Sequence, residues 1–192
     1  MILWTIQPAE IYNQIINDGY YHFDDKILKN KAWRNECPEA YDWLISEMTK
    51  RIGPPPKGIT SPVWAWYIHA SKRQKPDLRK SEYGRKGEFM VCLEIDIPDN
   101  AVVLSDEEAW YFVLNNQYLS SATSEEAYNR DISQFEKLPE YKKHAAINDS
   151  WQNIFDTEPF DNGFKATGRF VQATFWELKA EQIRKIQYFT AR

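Results

Sequence analysis

The run Phe89, Val91, Leu93, Ile95 and Ile97, interleaved with Met90, Cys92, Glu94 and Asp96, constrains this chain more than any other segment. A period of two has one regular solution: an extended strand whose successive side chains point to opposite faces. Pro98 closes the run, because proline has no N–H to give to a ladder. Such a strand needs partners. Ile2 to Gln7 reads as a first strand, and Val63 to Ile68 as another with Trp64, Trp66 and Ile68 on one face. Val102 to Leu104 reads as a short edge, and a last strand lies around Ile186 to Phe189. Phe170 to Leu178 is a further strand, with Phe170, Gln172, Thr174 and Trp176 on one face.

Helical spacing fills the middle of the chain. Pro8 suits a first helical position, and Ile11, Ile15 and Ile16 form a stripe that stops near Gly19. Pro38 opens a second helix through Tyr41, Leu44, Ile45 and Met48, ended by Gly53 and the proline run 54–56. Ser105 to Glu108 matches a capping box ahead of Trp110, Val113 and Leu114, and Thr123 to Glu126 repeats the pattern. Pro139 starts a longer helix with Tyr141, His144, Ile147, Trp151 and Phe155 on or near one face. A short helix spans Ala180 to Arg184, Tyr20 to Cys37 reads as loop, and Asp156 to Gly168 as a loop able to act as a lid. Strands at both ends with helices grouped between them predict one α+β domain over residues 1–192, with a mixed, mainly antiparallel sheet.

Composition excludes several classes. Cys37 and Cys92 form no CxxC, and His22, His69 and His144 stand at no metal-ligand spacing. A structural or catalytic metal is therefore not expected, nor is a disulfide framework, which fits a reducing, cytoplasmic setting. The start MILWTIQPAEIY lacks the form of a secretory leader. No stretch reaches the ~20 apolar residues that span a bilayer. There is no GxSxG, P-loop or GxGxxG, so the common hydrolase and phosphate-cradle motifs are missing.

Function is suggested by aromatic and basic residues side by side. The chain has eight tryptophans, two of them in Trp64-Ala65-Trp66. Lys72, Arg73, Lys75, Arg79, Lys80, Arg85 and Lys86 follow, opposed only by Asp77 and Glu82. Stacking surface beside phosphate ligands suits a nucleotide or a single strand of nucleic acid. A net charge of −4 argues against a general nucleic-acid coat. Trp64 and Trp66 can equally be core rings, and the basic run can be a solvated loop. Arg79 is the residue placed to hold a phosphate bidentately. Gln172, polar on an apolar face, either finds structural partners, or binds a ribose hydroxyl or orients a nucleophile.

Two resemblances add to this reading. The blocks Leu3-Trp4-Thr5-x-Gln7, Pro62-x-Trp64-Ala65-Trp66, Lys75-Pro76-Asp77-Leu78-Arg79, Leu104-Ser105-Asp106 and Val171-Gln172-Ala173-x-Phe175-Trp176 resemble a bacterial family catalogued as domain of unknown function 3841. That resemblance implies no activity. More distantly, the layout is similar to ADP-ribosyltransferase-like folds, in which residues of a first, a middle and a late strand contact NAD. The resemblance implies Thr5 or Gln7 as the first contact, Trp66 or Tyr67 as the middle and Gln172 as the last. The first strand offers neither Arg nor His, and the last position is not Glu. The expectation is an NAD- or nucleotide-binding enzyme with Gln172 as catalytic residue and a protein or nucleic-acid acceptor. The alternative is a non-catalytic module for a nucleotide, single-stranded nucleic acid or a protein.

Overall fold

A computed structural model describes residues 1–21 and 36–192. The elements begin with β1 (Ile2–Pro8), α1 (Ala9–Asp18), β2 (Tyr20–Tyr21), α2 (Pro38–Ile52) and β3 (Val63–Ile68). Next come β4 (Phe89–Asp96), β5 (Val103–Asp106), α3 (Glu107–Leu114), α4 (Glu125–Glu136) and α5 (Glu140–Ser150). The chain closes with β6 (Phe160–Asp161), β7 (Ala166–Thr167), β8 (Val171–Phe175), β9 (Leu178–Lys179) and β10 (Ile183–Thr190).

The alternating run is β4, second from one edge of a six-stranded sheet ordered β10-β4-β1-β3-β8-β5. Each neighbouring pair in that sheet is antiparallel. Two small antiparallel pairs, β2 with β9 and β6 with β7, lie outside it. The α+β class and the mainly antiparallel sheet are thus as expected, and among the described residues no parallel pair makes the sheet mixed.

Both faces of the sheet are packed, by different means. One face carries Leu3, Ala65, Leu93, Ile95, Ala173 and Phe175 beneath Ile11 and Ile15 of α1. Leu3, Ile15, Leu93 and Ile95 are fully buried, each worth about 1.5–3 kcal/mol in apolar burial. Gly19 ends α1 in the left-handed region (φ 83°), where its N–H reaches the Ile15 carbonyl at 2.8 Å. The other face is covered at its β5–β8 side by Leu44 and Met48 of α2, Trp110 and Val113 of α3, and Trp151 and Ile154 after α5. Edge-on ring contacts such as Trp43–Trp151 (5.4 Å, 82°) hold this second layer.

Several expected boundaries move, each for a local reason. Ser105 does not cap α3: it stays in β5, and the Asp106 carboxylate accepts the Ala109 N–H at 3.0 Å instead. Ser124, not Thr123, caps α4. The last long helix stops at Ser150 and tightens into a 3-10 turn, Trp151–Phe155, while Tyr141 points to solvent at 80% exposure. The expected lid segment contains the β6–β7 hairpin. Strand β8 ends at Phe175, and the Trp176 indole donates to the Gly53 carbonyl at 3.0 Å. A bulge after Trp66 shifts Ile68 in register. The 180–184 helix is a single turn, Ala180–Gln182, before β10. Of the loop expected at Tyr20 to Cys37, positions 22–35 lie outside the described residues and Tyr20–Tyr21 form β2.

Asp106 ties these pieces together. Its second carboxylate oxygen accepts the buried Gly168 N–H at 2.9 Å. Gly168 has φ +71°, and a Cβ there would meet the Thr157 carbonyl at 2.7 Å. Asp106→Ala removes the α3 cap and strands the Gly168 N–H, a loss of about 3 kcal/mol. Differential scanning calorimetry should show the unfolding midpoint falling by roughly 6–12 °C. An unchanged midpoint would mean that the buried carboxylate is not what joins α3 to the 168 turn.

Candidate functional site

Antiparallel register decides which side chains meet, because residues directly opposite share a face. Lys185 stands opposite Glu94, Glu94 opposite Trp4, and Trp4 opposite Trp66. Trp66 stands opposite Gln172, and Gln172 opposite Ser105. These six residues form one row across the sheet, on the face opposite α1.

At one end of the row two polar atoms are buried without a partner among the described residues: Ser105 Oγ and Gln172 Oε1. Each such atom costs about 1–3 kcal/mol if nothing satisfies it. A third, Asn148 Oδ1, belongs to α5 and not to the sheet. Beside the pair, the half-buried Trp66 ring meets His69 edge-on at 5.3 Å and Phe170 at 6.4 Å. His69 is buried, packs on Phe170 at 5.2 Å, and shares a 3.2 Å hydrogen bond between Nε2 and the Tyr83 hydroxyl. Burial, helped by the charge on Lys80, pulls the His69 pKa below its ordinary value of 6.5. Burial, with a hydrogen bond donated to the Glu82 carboxylate, raises that of Tyr83. Near neutral pH both partners are therefore uncharged.

Glu107 follows Asp106 at the start of α3, and its charge is felt at Tyr83. Burial, reinforced by Glu108, Asp106 and Glu82, raises the Glu107 carboxyl above the usual carboxylate range. A carboxyl shifted this way can exchange a proton closer to neutral pH.

The residues expected from the sequence do not all converge. Trp66 and Gln172 meet in the row. Trp64 lies one step along the same face but packs into the second layer, 5.5 Å from Trp110 and 6.5 Å from Tyr41. Thr5 and Gln7 alternate with Trp4 and so fall on the opposite face. There Gln7 donates to Thr5 Oγ1 at 2.9 Å, and Thr5 donates to the Trp64 carbonyl at 2.8 Å. Arg79 grips Asp77 through Nε (2.8 Å) and Nη2 (2.7 Å), and these hydrogen bonds hold the Asp77 carboxyl well below its usual range. Arg73 donates to the Tyr67 and Ile2 carbonyls and stacks 3.6 Å above the Tyr67 ring. Much of the basic run is therefore engaged within the protein.

Sequence reasoning missed Trp4, Ser105, His69, Tyr83 and Glu107. The Trp4 signal was the alternation of β1. Ser105 was hidden by a capping box that it does not form. No group of three or more metal-ligating side chains occurs among the described residues. No helix among them is long and apolar enough to cross a membrane.

The fold is α+β, built on a six-stranded antiparallel sheet, and one face of that sheet carries the polar-aromatic row. The chain belongs to the family described as domain of unknown function (DUF3841), whose sequence model matches residues 2–184. No curated protein matches it.

The neutral imidazole has a pH signature. A folded pKa below 6.5 means that the unfolded chain takes up a proton that the folded one refuses. The His69 contribution to stability is whole above 6.5 and falls as acid is added below it. Urea unfolding should show wild type losing stability relative to His69→Phe between about pH 7 and pH 5. A constant difference across that window would mean that His69 is charged or exposed in the folded state.

Proposed function

We propose that this chain binds a nucleotide, with NAD the first to be tried. The nucleoside would sit against Trp66 and its ribose hydroxyls on Gln172 Oε1 and Ser105 Oγ. One observation carries this reading: two unpartnered buried oxygens lie opposite one another, next to a half-exposed indole. The Gln172 carbonyl accepts only, so its missing partner is a donor such as a sugar hydroxyl or an amide. The Ser105 hydroxyl both donates and accepts, and fits a second hydroxyl. An indole face beside them supports stacking worth about 1–3 kcal/mol per base.

Binding without turnover is the use the geometry favours. The first-strand residues Thr5 and Gln7 turn to the other face, and Arg79 is held by Asp77. Glu107 favours a second use, ADP-ribosyl transfer. The ionised form of this half-buried carboxyl could take the proton of an acceptor group as that group bonds to the ribose C1′ and the C1′–nicotinamide bond breaks, neutral nicotinamide leaving with the bonding pair, while Gln172 positions the sugar. The acceptor would be a protein or a nucleic acid.

Proton NMR of NAD with the purified protein separates these outcomes. Broadened ribose and nicotinamide lines are expected, with affinity about tenfold weaker in Gln172→Ala or Trp66→Ala, a loss of about 1.4 kcal/mol. Free nicotinamide that disappears in Glu107→Gln would establish cleavage of NAD at this site, with ADP-ribose found on a protein or nucleic-acid acceptor marking transfer and free ADP-ribose marking hydrolysis. Sharp, unshifted lines at millimolar NAD would contradict the nucleotide reading.

A further inference from the structure

A cavity of about 290 Å³ opens on the same face of the sheet, one strand beyond Trp66. Trp4, Lys75, Cys92, Glu94, Lys185 and Gln187 are among the residues lining it. Trp4 stands directly opposite Trp66, so the two indoles are cross-strand neighbours. Strands about 4.8 Å apart put Trp4 roughly 10 Å from Gln172, two strands away. A diphosphate attached to a ribose on Gln172 reaches Trp4, the near wall of the cavity, while Lys185 stands on β10, four strands from Gln172, and reaches back through its side chain to Glu94 on β4.

The cavity's charge suits such a group. Lys185 lies 2.9 and 3.2 Å from the two oxygens of Glu94, and Lys75 donates to the Gln187 side chain. Two ammonium groups face one carboxylate, leaving one positive charge over. Burial pushes the Cys92 thiol up to about 11, so it adds no charge. An exposed lysine–carboxylate pair is weak, and both ammonium groups can turn to a more highly charged anion. Of the seven cations in the basic run, Lys75 lines this cavity. Arg79 is taken by Asp77, Lys80 faces Glu82 at 3.6 Å, and Arg73 is bound to backbone carbonyls.

We infer that this cavity is the phosphate subsite of the nucleotide site, with Lys75 and Lys185 as its ligands and Trp4 as its wall. The inference rests on the nucleotide reading above and moves the phosphate contact from Arg79 to Lys75.

Calorimetric titration of wild type, Lys75→Ala and Arg79→Ala tests it, using NAD, the nucleosides nicotinamide riboside and adenosine, and inorganic pyrophosphate. Lys75 is exposed, so its truncation leaves the core intact. The expected result is NAD binding at least tenfold weaker in Lys75→Ala, with nucleoside binding unchanged and Arg79→Ala like wild type. Nucleosides binding as tightly as NAD, or a loss seen in Arg79→Ala and not in Lys75→Ala, would overturn the subsite and leave the nucleoside reading standing. Lys75-dependent pyrophosphate binding without nucleoside binding would support the subsite and overturn the nucleoside reading. Silence from every probe would overturn both.

Discussion

The register between β1 and β3, with Trp4 opposite Trp66, is the constraint on which the rest of the arrangement depends. In an antiparallel sheet a slip of one residue turns every side chain to the other face. Such a slip would bury Trp66 under α1 and lift Ala65 into the cleft. The alternation on β4 secures the register from one side, because Leu93 and Ile95 must meet Thr5 and Leu3 under α1. The Trp66–Gln172 and Gln172–Ser105 pairs extend it from the other. The polar-aromatic row is thus a consequence of burying the opposite face.

Aromatic rings divide between two jobs. Trp110, Trp151 and Trp176 are buried in the second layer, and the indole N–H groups of Trp151 and Trp176 reach the carbonyls of Gln117 and Gly53. An indole buried with its N–H bonded to backbone is a core ring with its polar edge satisfied. Trp4 and Trp66 are different: half-buried, they flank each other on the face opposite α1, and Trp66 stands next to Gln172, whose buried side-chain oxygen lacks a partner among the described residues. The high tryptophan content serves packing first. Among the described residues two indoles, Trp4 and Trp66, lie outside that packing, and it is these that border the cleft and the cavity.

Much of the fold was legible because it follows from local periodicity. The β4 alternation, the stripe of α1, and α2 between Pro38 and Gly53 all stand where spacing places them. The site was less legible because pairing across the sheet is not written in any one segment. Thr5 and Gln7 looked suitable as ligand contacts, but they alternate with Trp4 along β1 and so face away from the Trp66–Gln172 row. Ser105 sits in a capping-box pattern, yet its neighbour Asp106 has the carboxylate that can cap α3 and bond Gly168 at once, so Ser105 stays in β5. Arg79 read as a free cation, but the turn at Asp77 also places Asp77 Oδ1 3.1 Å from the Arg79 backbone N–H. Both groups of Arg79 then lock onto one carboxylate.

The most direct test of the central claim uses the eight indole N–H signals as reporters. In a nitrogen-15 correlation spectrum, assigned with Trp4→Phe and Trp66→Phe, NAD should shift the signals of Trp4 and Trp66. Those of Trp110, Trp151 and Trp176 should stay in place. Shifts confined to these buried indoles, or a spectrum unchanged at saturating ligand, would contradict the assignment of this face as the binding surface.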